Sequence, residues 1–180
     1  YPLHSHAHSK GIYESDSVDF LAVVLLYGIV RQPAQFPKLY TYNGSLLLHE
    51  KLLVVELDLR NDEIPNWGYW GNKFYLETHN AKTFYETTTR CVGYSMGLGG
   101  TFHAYDMDGG WWDTPNAIES WRKTLKMAEK ASPQQWGPDR IAVFVDERTS
   151  GHLTLDSDPR IFAYSIKEHI NEALWRSGVR

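Results

Sequence analysis

Two clusters of charged and aromatic side chains follow short apolar runs and could do chemistry. One is Glu56, Asp58 and Arg60; the other is Asp106, Asp108, Trp111 and Trp112, directly after Tyr105. Successive side chains of an extended strand alternate between faces, so Glu56, Asp58 and Arg60 point the same way. A guanidinium near a carboxylate favours its ionised form, as a nucleophile or a charge-stabilising group requires. The same spacing also suits a structural ion pair between Glu56 and Arg60 at a strand end, and the residues leave both readings open. Glu77, after Tyr75 and Leu76, is a competing carboxylate. Glu56 is preferred for its longer apolar lead-in and its acidic and basic companions. Trp111 and Trp112 offer flat amphipathic rings, suited either to stacking on a sugar or to packing beneath a loop.

The elements that must position these groups follow from pattern. Residues 51–60 grade from a continuous apolar run into alternation, as a buried parallel strand does where it emerges at its C-terminal end. Residues 101–105 predict a second short strand. Between them a helix is expected over 82–96, with Phe84, Thr88, Cys91 and Ser95 on one side, stopping at Gly97, Gly99 and Gly100. Pro115 suits a first helical turn and opens a helix to about residue 131, with Ile118, Trp121, Leu125 and Ala128 spaced for one face. Upstream, residues 1–16 read as a loop, and Asp16 or Ser17 can cap a helix over 18–30. Residues 32–44 are irregular, and Ser45 caps a short turn through His49. Residues 132–138 read as a linker, 140–146 as a buried strand, and 158–178 as a helix closed by Gly178. Strand and helix alternating in this way predict parallel α/β structure.

Composition narrows the function. The net charge of −4 and the lack of any Lys/Arg run argue against nucleic acid as a partner. The longest apolar run, residues 20–30, is too short to span a bilayer and predicts a buried helix, so no membrane partner is expected. Cys91 is the single cysteine, which rules out an internal disulfide or a cysteine-based zinc site and leaves the compartment undetermined. Aromatic residues reach 14%, with seven Trp and eleven Tyr, a composition that favours a carbohydrate ligand.

These residues together resemble the β-galactosidase-like glycoside hydrolases related to family 42. Ser45, His49 and the run to Glu56, Asp58 and Arg60 are similar to that group's seventh barrel strand, with its Glu-x-Asp-x-Arg pattern. Residues 97–112 look like its eighth strand and the Asp-x-x-Gly-x-Trp end. Residues 141–146 and 162–178 are similar to the opening of its flavodoxin-like middle domain, which often mediates trimerisation. Asn61 departs from the threonine usual after the arginine.

The resemblance implies the C-terminal portion of a (β/α)8 barrel over residues 1–134, followed over 135–180 by the first βα unit of a flavodoxin-like domain. It implies a retaining glycosidase with Glu56 as nucleophile, acting on a carbohydrate substrate without metal or cofactor. Asp58, Arg60, Asp106, Asp108, Trp111 and Trp112 would hold the sugar. His4 and His6 would lie in a loop over it, since the group places substrate contacts after strand six. A zinc site at His4, His6 and His8 is the rival for that segment, but no apolar strand precedes it and no carboxylate stands at a matching spacing. The group's general acid/base sits on strand four, which would precede Tyr1. The chain is therefore expected to need the remainder of the barrel, from the same gene product or another chain, and a homo-oligomer is expected. The rival reading is a non-catalytic carbohydrate-binding or assembly subunit with the barrel's shape.

Overall fold

The computed structural model describes residues 10–25, 35–39, 41, 43–59, 80–106, 109–131, 144 and 171–177. In chain order the elements are α1 (Lys10–Tyr13), β1 (Phe20–Val24), α2 (Asn43–Leu48), β2 (Leu52–Leu57), α3 (Ala81–Gly97), β3 (Thr101–Ala104), α4 (Pro115–Ala128) and α5 (Asn171–Arg176). The chain divides into two compact units: Asp19–Gln134, and a second formed by Tyr1–Val18 with Gln135–Arg180. Among the described residues no helix is long and apolar enough to cross a membrane.

The Asp19–Gln134 unit is mixed α/β. Its three strands form a parallel sheet in the order β1-β2-β3. Two helix ends feed the chain into these strands by the same device. At α3, Gly99 takes a left-handed φ of 75° while its N–H bonds the Met96 carbonyl at 2.9 Å and that of Gly100 bonds Ser95 at 3.1 Å. This double closure caps the last carbonyls and turns the chain back. At α2 the same pair of bonds runs from Glu50 to Leu47 and from Lys51 to Leu46, with Glu50 itself left-handed at φ 55°. The next residue in each case begins a strand. Gly100 is needed for a second reason: a Cβ there would lie 2.9 Å from the Leu53 carbonyl oxygen on β2.

Strand alternation sorts the sheet into two faces. Leu53, Val55 and Leu57 of β2 are fully buried, and Phe102, the register partner of Val55, meets the Trp121 ring of α4 edge-on at 5.8 Å. Helices α3 and α4 therefore cover this face, and the buried Phe84, Cys91 and Val92 come from α3. Helix α3 starts at an Asn80 cap whose side chain accepts the Thr83 N–H at 3.0 Å, with Thr83 returning the bond to Asn80 N–H. The opposite face carries Phe20, Ala22 and Val24 of β1, Leu52, Val54 and Glu56 of β2, and Thr101 and His103 of β3. It is far more open: Phe20 is 54% exposed and Leu52 48%.

Two expectations are corrected. The helix over 18–30 is instead strand β1 through Val24, paired residue by residue with Leu52–Glu56; residues 26–30 lie outside the described set. An unbroken apolar run has no period to separate helix from strand, and the neighbouring strand decides. Asp19, inside the expected helix, instead gives its carbonyl to Leu52 N–H at 3.0 Å and joins the ladder. Helix α4 forms where expected, and of the expected face Trp121 packs inward against Phe102 and Trp112, but the buried stripe is shifted. Ala117, Ser120 and Thr124 are buried, whereas Ile118 and Leu125 remain exposed. Small side chains let α4 approach α3 closely, down to a 3.0 Å contact between the Thr89 and Thr124 hydroxyls. Of the buried strand expected over 140–146 only Phe144 is described, 92% exposed and outside any strand; its other residues lie outside the described set. Helix α5 falls within the helix expected over 158–178.

Candidate functional site

Glu56 is the second-to-last residue of β2, the central strand, and lies on the open face. Its position follows from two facts: β3 starts at Thr101 opposite Val54, and alternation from buried Val55 and Leu57 turns Glu56 to the other side. The register sets it directly opposite His103 of β3, with His103 Nε2 3.8 Å from Glu56 Oε2. The Glu56 side chain is 26% exposed and that of His103 44%. The carboxylate is thus reachable by solvent or ligand while a potential cation stands beside it.

Asp58 follows on the same side of β2 and is only 3% exposed, at the point where the strand ends. The pairing of β2 and β3 runs one step past the last ladder residue, through Tyr105 N–H to the Leu57 carbonyl at 3.2 Å. Beyond it the chain makes a tight loop. The Asp106 carboxylate accepts the Trp111 backbone N–H at 3.1 Å, and the intervening Gly109 and Gly110 are left-handed at φ 81° and 89°. Asp106 therefore shapes the loop that follows β3.

The two tryptophans close that loop onto the core. Trp111 is 2% exposed, with its ring 6.3 Å from that of Tyr105. Trp112 donates its indole N–H to the Tyr105 carbonyl at 2.9 Å, and its ring packs against Phe84 at 5.6 Å and Trp121 at 5.1 Å. Of the two sequence readings, packing beneath the loop describes what these rings touch in this chain.

The structure thus gathers Glu56, Asp58, Asp106, Trp111 and Trp112 around the C-terminal ends of β2 and β3. Arg60, Glu77, Asp108, His4 and His6 lie outside the described residues. His103 was not singled out from sequence. The available signal was a polar residue at an alternate position of a short strand; its partner, 47 residues earlier in the chain, is set only by strand register. Chemically, a part-exposed carboxylate beside an imidazole can act as a nucleophile or base, or form a simple ion pair. Compared with known proteins, the chain matches no family model, no curated protein and no solved structure.

Proposed function

We propose that this chain carries the seventh and eighth strands of a (β/α)8 glycoside hydrolase barrel of the β-galactosidase-like kind, with Glu56 as the nucleophile of a retaining mechanism. The observation that carries the reading is the place of Glu56. It stands at the C-terminal end of a central parallel strand, on the face that the described helices leave open, which is where barrel enzymes keep catalytic groups. Two further features support it. Among the described residues the strands run in sequence order, all parallel, with helices α3 and α4 on one side, as consecutive strands of a barrel do. The open face carries exposed Phe20 and Leu52, the apolar filling that a barrel interior would enclose.

On this reading a Glu56 oxygen attacks the anomeric carbon as the glycosidic bond breaks, and an acid/base from another strand protonates the leaving oxygen. Water then cleaves the glycosyl ester and restores the carboxylate. Asp58 and Asp106 support the strand end and loop around the sugar, and residues 135–180 begin a flavodoxin-like domain.

The test uses the natural full-length protein, a nitrophenyl β-galactoside and a 2-fluoro-glycoside trap mapped by mass spectrometry. Glu56→Gln preserves shape and removes the attacking charge, so turnover should fall by roughly three powers of ten or more, on the order of 4 kcal/mol of barrier, while KM changes little. The adduct is expected on Glu56. An adduct on Glu77, or near-normal turnover by Glu56→Gln, refutes the assignment.

A further inference from the structure

We propose that Asn43 is a gated deamidation site: its side-chain amide ties α2 to the end of α3, and when α2 undocks it closes on the Gly44 nitrogen and becomes aspartate or isoaspartate. This modification is independent of the role given to Glu56.

The chemistry begins with a dipeptide. Of the asparagines in the chain, only Asn43 is followed by glycine. Ring closure needs the amide nitrogen of the next residue to reach the asparagine Cγ, and glycine gives that approach the least obstruction and the widest backbone freedom. Gly44 is exposed, with nothing within 4 Å of where a Cβ would stand, so solvent base can reach its amide. It also lies in the first turn of α2, where backbone N–H groups have no intrahelical acceptor.

The fold holds the reaction back through the side chain. Asn43 Nδ2 donates to the Leu98 carbonyl at 2.7 Å, and Oδ1 is buried. Leu98 caps α3, so the bond satisfies one of the carbonyls that a helix end leaves open. Leu46, fully buried, anchors the rest of α2. With its amide held on another helix, Asn43 cannot swing Cγ onto the Gly44 nitrogen while α2 is docked.

Once released, the atoms balance with water as the co-reactant. The Gly44 amide nitrogen loses its proton to solvent base and bonds Asn43 Cγ; the Cγ–Nδ2 bond breaks, and ammonia leaves with a proton from solvent. Water then adds to either carbonyl of the succinimide ring and the bond from that carbon to the ring nitrogen breaks. Opening at Cγ leaves aspartate, and opening at the backbone carbonyl leaves isoaspartate, with the main chain routed through the side chain.

The product cannot dock as before. A carboxylate only accepts, and so does the Leu98 carbonyl, so the bond becomes a repulsion. The carboxylate would also face the negative end of the α3 dipole and place charge where Oδ1 is buried. Conversion is therefore one-way and marks each molecule whose α2, the helix that leads into β2, has opened.

The test follows the natural full-length protein in mildly alkaline buffer, with and without denaturing urea, by peptide mass mapping and isoaspartyl methyltransferase labelling. In urea Asn43 should convert faster than the other asparagines, and Gly44→Ala, whose methyl group has room in the fold, should suppress it. In the native protein conversion should be slower than in urea by the fraction of time that α2 is undocked, about tenfold or more. Leu46→Ala, which removes the anchor, should speed native conversion and leave the rate in urea unchanged. If that variant does not fold, wild type in sub-denaturing urea takes its place, and conversion should climb before global unfolding does. In Asn43→Asp the amides that close α2, those of Glu50 and Lys51, should exchange hydrogen faster than in wild type. Conversion of Asn43 in urea no faster than the other asparagines overturns the site. Equal native and urea rates, or no acceleration when α2 is loosened, overturn the gate. Unchanged exchange in Asn43→Asp overturns the one-way consequence.

Discussion

A glycine within α3 and a glycine just past its end should respond to the same substitution with opposite signs, and the difference tests how α3 meets the strand that carries Glu56. Gly93 lies within α3, is exposed, and has nothing within 4 Å of where a Cβ would stand. Alanine there costs no contact and removes the conformational freedom that makes glycine a poor helix residue, so Gly93→Ala should stabilise by roughly 0.5–1 kcal/mol. Gly100 sits where α3 hands over to β3. A Cβ would lie 2.9 Å from the Leu53 carbonyl oxygen and 3.0 Å from Leu53 Cγ. The first neighbour is backbone of the central strand, which cannot step aside without disturbing its ladder. Gly100→Ala should therefore destabilise by about 1–3 kcal/mol, the range for forcing a methyl group into a packed site. Urea unfolding of the natural full-length protein, followed by tryptophan fluorescence, reads both, since Trp111, Trp112 and Trp121 belong to this unit. Because Leu53 lies three residues before Glu56 on the same strand, Gly100→Ala should also lower turnover more than Gly93→Ala does. A neutral or stabilising Gly100→Ala would refute the close approach of helix end and strand, and with it the placement of β3 beside β2.

Two more outcomes follow from the buried polar groups. The Thr88 hydroxyl is buried in α3 without a hydrogen-bond partner, so Thr88→Val should stabilise by about 1 kcal/mol in the same unfolding measurement; a loss of stability would mean the hydroxyl is bonded. Burial pushes the Tyr94 phenol up, and a nearby Cys91 thiolate adds to the shift. A group raised in the folded state favours folding below its unfolded value and loses that contribution as pH climbs past it. Stability should thus fall above about pH 10, the ordinary tyrosine value, and fall less steeply in Tyr94→Phe; equal slopes in the two proteins would refute it.

What the sequence determined by itself was local. The end of α3 is written in Gly99 and Gly100, the start of α4 in Thr114 and Pro115, strand β2 in a short apolar run, and β3 in the few residues left between the glycines and the Asp106 loop. Each is set by backbone conformation or side-chain period within a few residues, and each formed within a residue or two of its expected place. The parallel arrangement of β2 and β3 followed from the helix between them, since a helical crossover returns the chain in the same direction.

The tertiary structure decided what local preference left undetermined. The run from Phe20 to Val24 suits helix or strand nearly equally, and pairing with Leu52–Glu56 made it β1. The inward face of α4 was chosen by closeness of approach to α3, which favoured Ala117, Ser120 and Thr124 over the larger Ile118 and Leu125. Trp111 and Trp112 could stack or pack, and the loop tied by Asp106 turned both against neighbouring rings. The pairing of Glu56 with His103 depends on the register between strands joined by a helix. Register is a sum of packing over both strands and the helix above them, and no short segment of sequence contains it.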